Sequence, residues 1–154
     1  MSDWLKTFQT GLPPEYVCRK LTKEDGELEG IEIDNPITGG TLEKNGVPVA
    51  YAGINLVAGY HYCFFYLKDE EVRKYGLWIV RLIRDSIHLM EDAGIKDMYA
   101  LCDNTKPNAE SFLKLLGFEP MDTYQRSIEM LVYEKLMGGV AKTWHRPAKR
   151  GMLT

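Results

Sequence analysis

Cysteine, histidine and long apolar runs are scarce in this chain, and each scarcity excludes a class of function. Only three Cys and three His occur in 154 residues. Cys18, Cys63 and Cys102 are odd in number and widely spaced, and neither C-x-x-C nor H-x-x-x-H is present. That pattern supports neither a disulfide framework nor a structural zinc site. Each Cys falls in a segment that reads as a buried or half-buried strand, the usual place of a reduced core thiol in a cytosolic protein. No apolar run approaches the ~18 residues of a membrane span. The opening MSDWLKTFQTGLPP lacks the basic-then-apolar layout of a secretion signal, so a cytoplasmic protein is expected. Repeats and low-complexity segments are also absent.

What remains is 45% hydrophobic and 27% charged, enough for one domain with a continuous core. The formal charge is −3. Residues 141–154 hold Lys142, Arg146, Lys149 and Arg150 and no acid, so the body before them is acidic. An acidic body argues against a general nucleic-acid surface. Three parts are therefore expected: an N-terminal extension over 1–15, a domain over 16–135 and a basic tail over 136–154. Ser2 as cap and Trp4, Leu5, Phe8 and Leu12 at helical spacing predict a short helix over 2–10, either packed on its own domain or a docking element for a protein partner. The tail, with Trp144 among its cations and a Gly138-Gly139 hinge ahead of it, is the second candidate for partner binding.

Within the domain, Tyr16–Lys20 reads as a strand, and Thr22 as the cap of a short helix. Asn45-Gly46 marks a type I′ hairpin between strands at 41–44 and 47–57, and Ala58-Gly59 turns the chain into a strand at 60–67. Val72, Tyr75, Ile79, Leu82, Ile83, Ile87 and Met90 recur at three- and four-residue steps, predicting a helix that Gly94 ends. Met98–Leu101 is a short apolar strand, expected to lie parallel to 60–67 across a right-handed crossover. Ala109, Phe112, Leu113 and Leu116 stripe a helix closing at Gly117. Phe118–Thr123 and Ile128–Glu134 read as a last hairpin.

The organising stretch is YCFFYLKDEEVRKYGLWIVRLI, Tyr62 to Ile83, which reads as strand, charged loop and helix. Its R-x-x-G-x-W loop, with Asn104 and then FLKLLGFE (Phe112–Glu119) further on, resembles the GNAT superfamily of acyl-CoA-dependent N-acyltransferases. That resemblance covers roughly 16–135. It implies an α/β (α+β) fold whose mixed, mostly antiparallel sheet contains a splayed parallel strand pair flanked by helices. It also implies acetyl-CoA as cofactor and an amine as acceptor. The cofactor-binding residues it implies are Leu67 at the strand end, Arg73, Lys74, Tyr75, Gly76, Leu77 and Trp78, whose amides would hold the pyrophosphate, and Asn104 on the pantetheine arm. His61, on the strand beside the acyl site, is the candidate proton acceptor, with Asp69, Glu71 and Asp103 behind it. Two positions depart from the family pattern: Trp78 replaces a Gly or Ala, and Leu113 replaces the Tyr that protonates the departing thiolate. The chain is also loosely similar to small GNAT-like proteins of short-tailed bacteriophages, some carried in the virion. The alternative expectation is thus a catalytically inactive interaction protein, in the host cytoplasm or the virion.

Overall fold

The computed structural model describes the backbone of residues 13–22, 36–67, 69–106 and 108–148, with their side chains except those of 36–38, 67, 69–79 and 82. The expected helix over 2–10 and the one opened by Thr22 lie outside these residues. Strands β1 (Tyr16–Lys20), β2 (Pro36–Lys44), β3 (Val47–Val57) and β4 (Tyr60–Leu67) lead into helix α1 (Asp69–Asp92). There follow β5 (Met98–Asp103), α2 (Ala109–Leu115), β6 (Glu119–Pro120), a 3-10 turn at Thr123–Gln125, α3 (Ile128–Leu136) and β7 (Ala141–Arg146). The hydrogen-bonded strand order is β1-β2-β3-β4-β5-β7-β6. By contact the chain divides into two units, Met1–Leu56 with Phe64–Leu82, and Val57–Cys63 with Ile83–Thr154.

In the first unit β1, β2 and β3 form an antiparallel meander. Its tight turn is the expected one: Asn45 (φ 52°) and Gly46 (φ 82°) both take the left-handed conformation that a type I′ turn requires. Tyr16, Leu42, Val49 and Ala50 bury one face. Leu21 and Tyr51 anchor another cluster with Phe64 and Tyr66, the rings of Tyr51 and Tyr66 lying 5.1 Å apart. Arg19 and Glu43, across the β1–β2 ladder, form an ion pair.

The second unit is built on β5. Its parallel pairing with β4 matches the sequence expectation and covers two registers, Tyr62↔Tyr99 and Cys63↔Ala100. On its other side β5 pairs antiparallel with β7 along its whole length, Met98↔Arg146 to Asp103↔Ala141. Residues 141–146 are therefore an interior strand, not part of a tail. The alternation explains this, because Ala141 and Thr143 are buried on one face and Trp144 on the other. Arg146, on the Trp144 face, donates from Nε to Leu116 O (2.9 Å) and from Nη1 to Glu91 (2.6 Å), tying β7 to α2 and α1.

The expected final hairpin is also corrected: β6 is two residues long, and 128–136 is helical. Ser127 caps α3 by accepting from Met130 N (3.2 Å), and Met130 and Glu134, one turn apart, are its buried residues. The β-branched residues that suggested a strand, Ile128 and Val132, point to solvent. Helix α2 ends at a Schellman motif, with Phe118 N bonded to Leu113 O (3.0 Å) and Gly117 N to Lys114 O (3.0 Å). Gly117 takes φ +92°, a left-handed position open to glycine at little cost. Phe118 is delivered into the core.

Candidate active site

Alternation along β4 sets its polar side chains on opposite faces. Cys63 faces Met98 (Sγ to Sδ 3.8 Å), and Tyr62 faces the other way onto Thr143. His61 therefore shares the Cys63 face; it is half-buried and has no hydrogen-bond partner among the described residues. Leu67 closes the strand and α1 begins two residues later. The acids Asp69, Glu70 and Glu71 occupy the first turn, where they complement the helix dipole and fix the start. The expected loop over Arg73–Trp78 is thus absent, because these residues lie inside α1 beyond its first turn. In a helix beginning at Asp69 the amides without intrahelical acceptors are those of about the first four residues. The amides of Lys74 to Trp78 are engaged along the helix.

Asn104 is exposed in the turn after β5, and its Oδ1 accepts from Cys102 Sγ at 3.5 Å. The neighbouring Asp103 makes the turn, accepting from Thr105 N (2.9 Å) and Thr105 Oγ1 (2.5 Å). Those bonds hold its carboxyl below the usual range. Asn104 caps no helix; the cap of α2 is Asn108, left-handed at φ +67° with no side-chain bond. Leu113 is 4% exposed, so the side chain at the expected tyrosine position is core. By unit, Leu67 and Arg73–Trp78 belong to the first, and His61 and Asn104 to the second.

The second unit also assembles two polar groupings that the sequence reading missed. In the first, Glu134 of α3, 4% exposed, accepts from Thr143 N (3.0 Å) and Thr143 Oγ1 (2.7 Å). Because the Thr143 hydroxyl donates to this carboxylate, it is an acceptor towards Tyr62, whose OH lies 3.1 Å away. Arg126 brings its Nε within 3.0 Å of Glu134 Oε2; it pairs in charge, but the N–H is not aligned for a hydrogen bond. Burial pushes the Tyr62 phenol up to about 12, against the lowering effect of Thr143 and with smaller help from the Glu134 charge. Tyr62, Thr143 and Glu134 thus form a buried relay of fixed donor direction, with the Arg126 charge beside its end.

In the second grouping, His145 of β7 sits opposite Tyr99 of β5 and Glu119 of β6. Its Nε2 is 2.9 Å from Asp97 Oδ1, and its ring stacks on Tyr99 with centroids 4.9 Å apart and planes 18° apart. Asp97 is itself held by the amide of Ala148 (3.2 Å). Tyr60 meets Tyr99 edge-on at 5.3 Å. Burial first, then the Asp97 charge and Tyr60, raises the Tyr99 phenol. The detectable signal for both groupings was the strand-like alternation Thr143-Trp144-His145, masked by the cations and proline around it.

Among the described residues no group of three or more His, Cys, Asp or Glu forms a metal site, and no helix is long and apolar enough to cross a membrane. No family model matches the sequence, and no curated protein matches it. Solved structures do match. A GNAT-family acetyltransferase from Staphylococcus aureus superposes with a TM-score of 0.64 at 14% identity, over 87% of this chain and 99% of that one. A GNAT-superfamily phosphinothricin acetyltransferase from Sinorhizobium meliloti, in complex with acetyl-CoA, gives 0.57 at 12% identity over 91% and 92%. N-acetylglutamate synthase from Neisseria gonorrhoeae, complexed with coenzyme A and N-acetyl-glutamate, gives 0.59 at 16% identity; 90% of this chain covers 36% of that one. Identities this low speak to architecture, and the architecture is that of the GNAT acetyltransferases.

Proposed function

We propose that the protein is an acyl-CoA-dependent N-acyltransferase. The observation that carries the reading is the β4–α1–β5 unit: a strand running straight into a long helix, then a strand returning parallel to the first, in a sheet matched by GNAT acetyltransferases. Coenzyme A, when bound, supplies an activated acyl thioester. The amides of Lys74–Trp78 do not fit as its pyrophosphate cradle, since the helix uses them. The group of donors that does fit is the free first turn of α1, Asp69 to Val72, with the positive end of the dipole and Arg73 just behind it. In the second unit Asn104 is exposed, and its amide NH₂ has no hydrogen-bond partner among the described residues.

Calorimetric titration with acetyl-CoA tests this. Binding is expected, and Arg73→Ala should weaken it by about 1.5–3 kcal/mol, the range for hydrogen bonds to charged groups. Absence of binding heat in the intact chain refutes the reading. The second reading, a GNAT-fold interaction protein without transfer activity, then stands. It is favoured by the buried Leu113 and by the three acids at the mouth of α1, which oppose a phosphate.

A further inference from the structure

We infer that His145, aligned by Asp97 and Tyr99, takes the proton from a primary-amine acceptor bound over this part of the sheet. The inference rests on the acyltransferase reading, because an alkylammonium has no lone pair for attack until it loses a proton. The starting observation is the pairing of the ring's Nε2 with Asp97. Nε2 faces an acceptor-only carboxylate at 2.9 Å, so Nε2 carries the hydrogen and Nδ1 carries the lone pair. Among the described residues Nδ1 has no partner.

Two contacts hold the ring and a third holds Asp97, which sets the group apart from an ordinary surface ion pair. Asp97 fixes one edge, the Ala148 amide fixes Asp97, and Tyr99 supports one ring face. The side chain of His145 is 30% exposed, which admits a ligand without freeing the ring. The groups facing it also suit a cation. Asp97 lies on one side, Glu119 is the cross-strand neighbour on β6, and the rings of Tyr99 and Tyr60 lie beside them. No Lys or Arg is a cross-strand partner of His145. The phenol hydroxyls of Tyr60 and Tyr99 make no hydrogen bond among the described residues, leaving two donors or acceptors for the rest of the acceptor molecule.

The step is a proton transfer that balances by itself. The N–H bond of the ammonium breaks, its electron pair stays on the amine nitrogen, and the proton bonds to Nδ1 to give an imidazolium whose charge Asp97 faces. His145 is then a catalytic residue and Asp97 a positioning residue. His61, on the opposite face of β4 and without a carboxylate partner among the described residues, lacks this arrangement.

The test uses the full chain labelled with ¹⁵N in its histidines, of which there are three. His61→Gln and His88→Gln variants assign the signals, so the wild-type His145 can be read directly. The neutral ring should show Nε2 protonated and Nδ1 bare. Titrated n-butylamine should move the Nδ1 resonance, n-butanol should not, and Asp97→Asn should abolish the tautomer preference. A protonated Nδ1 in the neutral ring, or a signal that n-butylamine leaves in place, overturns the proposal whether or not the protein binds acetyl-CoA. Where amine acetylation is measured, His145→Gln should lower kcat about 10²–10⁴-fold, the usual worth of a general base, with acetyl-CoA affinity unchanged. Undiminished kcat would also overturn it. Failure of acetyl-CoA to bind counts against the acyltransferase reading instead, so the two failures are separable.

Discussion

Replacing Glu134 by methionine removes the carboxylate at the end of the buried relay and nothing of its volume, so the loss measures chemistry, not a cavity. Three groups lose their partner: Thr143 N–H at 3.0 Å, Thr143 Oγ–H at 2.7 Å and the guanidinium of Arg126. A buried donor left unsatisfied costs about 1–3 kcal/mol, and stripping one partner from a buried ion pair costs about 3–5 kcal/mol in all. The Glu134 and Arg126 side chains are 4% and 10% exposed, so solvent offers neither a substitute. We expect a loss of about 3–5 kcal/mol in urea unfolding, against a total of roughly 5–15 kcal/mol for a domain. In heating experiments this is a fall in Tm of roughly 6–20 °C for a chain of this length. Glu134→Gln should cost less, about 1–3 kcal/mol, because its amide oxygen still accepts from Thr143 while the charge facing Arg126 is gone. Making both Glu134→Met and Arg126→Leu should recover part of the loss, since no lone charge then remains buried. A Glu134→Met midpoint within about 0.5 kcal/mol of the parent, the scatter of a surface substitution, would refute the relay.

Two further outcomes can be read from titrations. Burial tends to raise the Glu91 carboxyl, but the hydrogen bond and charge of Arg146, with His88 in support, outweigh it and hold the group below its usual value. Its contribution is therefore present above the unfolded carboxylate range of about 4.3 and is lost as pH falls through the lower folded value; unfolding of Glu91→Gln followed against pH should show a shallower acid limb, and an unchanged limb would contradict the pairing. The Cys thiols are buried and pushed up by burial, Cys18 and Cys102 to about 11 and Cys63 to about 12. An aromatic disulfide reagent at neutral pH should therefore release no colour from the native chain and three equivalents after denaturation; rapid native labelling would contradict the core assignment.

The parts of this fold carried by local signals were legible in the sequence. Asn45-Gly46 specifies its turn by backbone conformation alone, Gly117 specifies the end of α2, and the three- and four-residue spacing from Val72 to Met90 falls within α1. The parts decided by distant partners were not. Ile128 to Glu134 has the composition of a strand, yet Ser127 caps it as a helix and the burial of Met130 and Glu134 selects that period. Ala141–Arg146 carries charges and follows two glycines, so local reading makes it a tail; β5, about forty residues earlier, makes it a strand. The start of α1 shows the same limit at the candidate site. The motif resemblance placed a loop at Arg73–Trp78, while Asp69-Glu70-Glu71 are helix-opening residues, and in the structure they open it. His145 and Asp97 lie far apart in sequence and meet only because β5 and β7 are neighbours.

That adjacency has a bearing on how the chain is made. β5 lies between β4, complete before it is synthesised, and β7, made about forty residues after it. A nascent chain emerging from the ribosome therefore exposes one edge of β5 with nothing in the chain yet able to cover it, while β6 and α3 wait for the strand they pair with or pack against. Long-range closure of this kind is slow, and an open strand edge invites pairing with another chain. The second unit should be acquired nearly all at once, once residue 146 has emerged, and a message cut short before residue 146 would yield a product with an unpaired central strand.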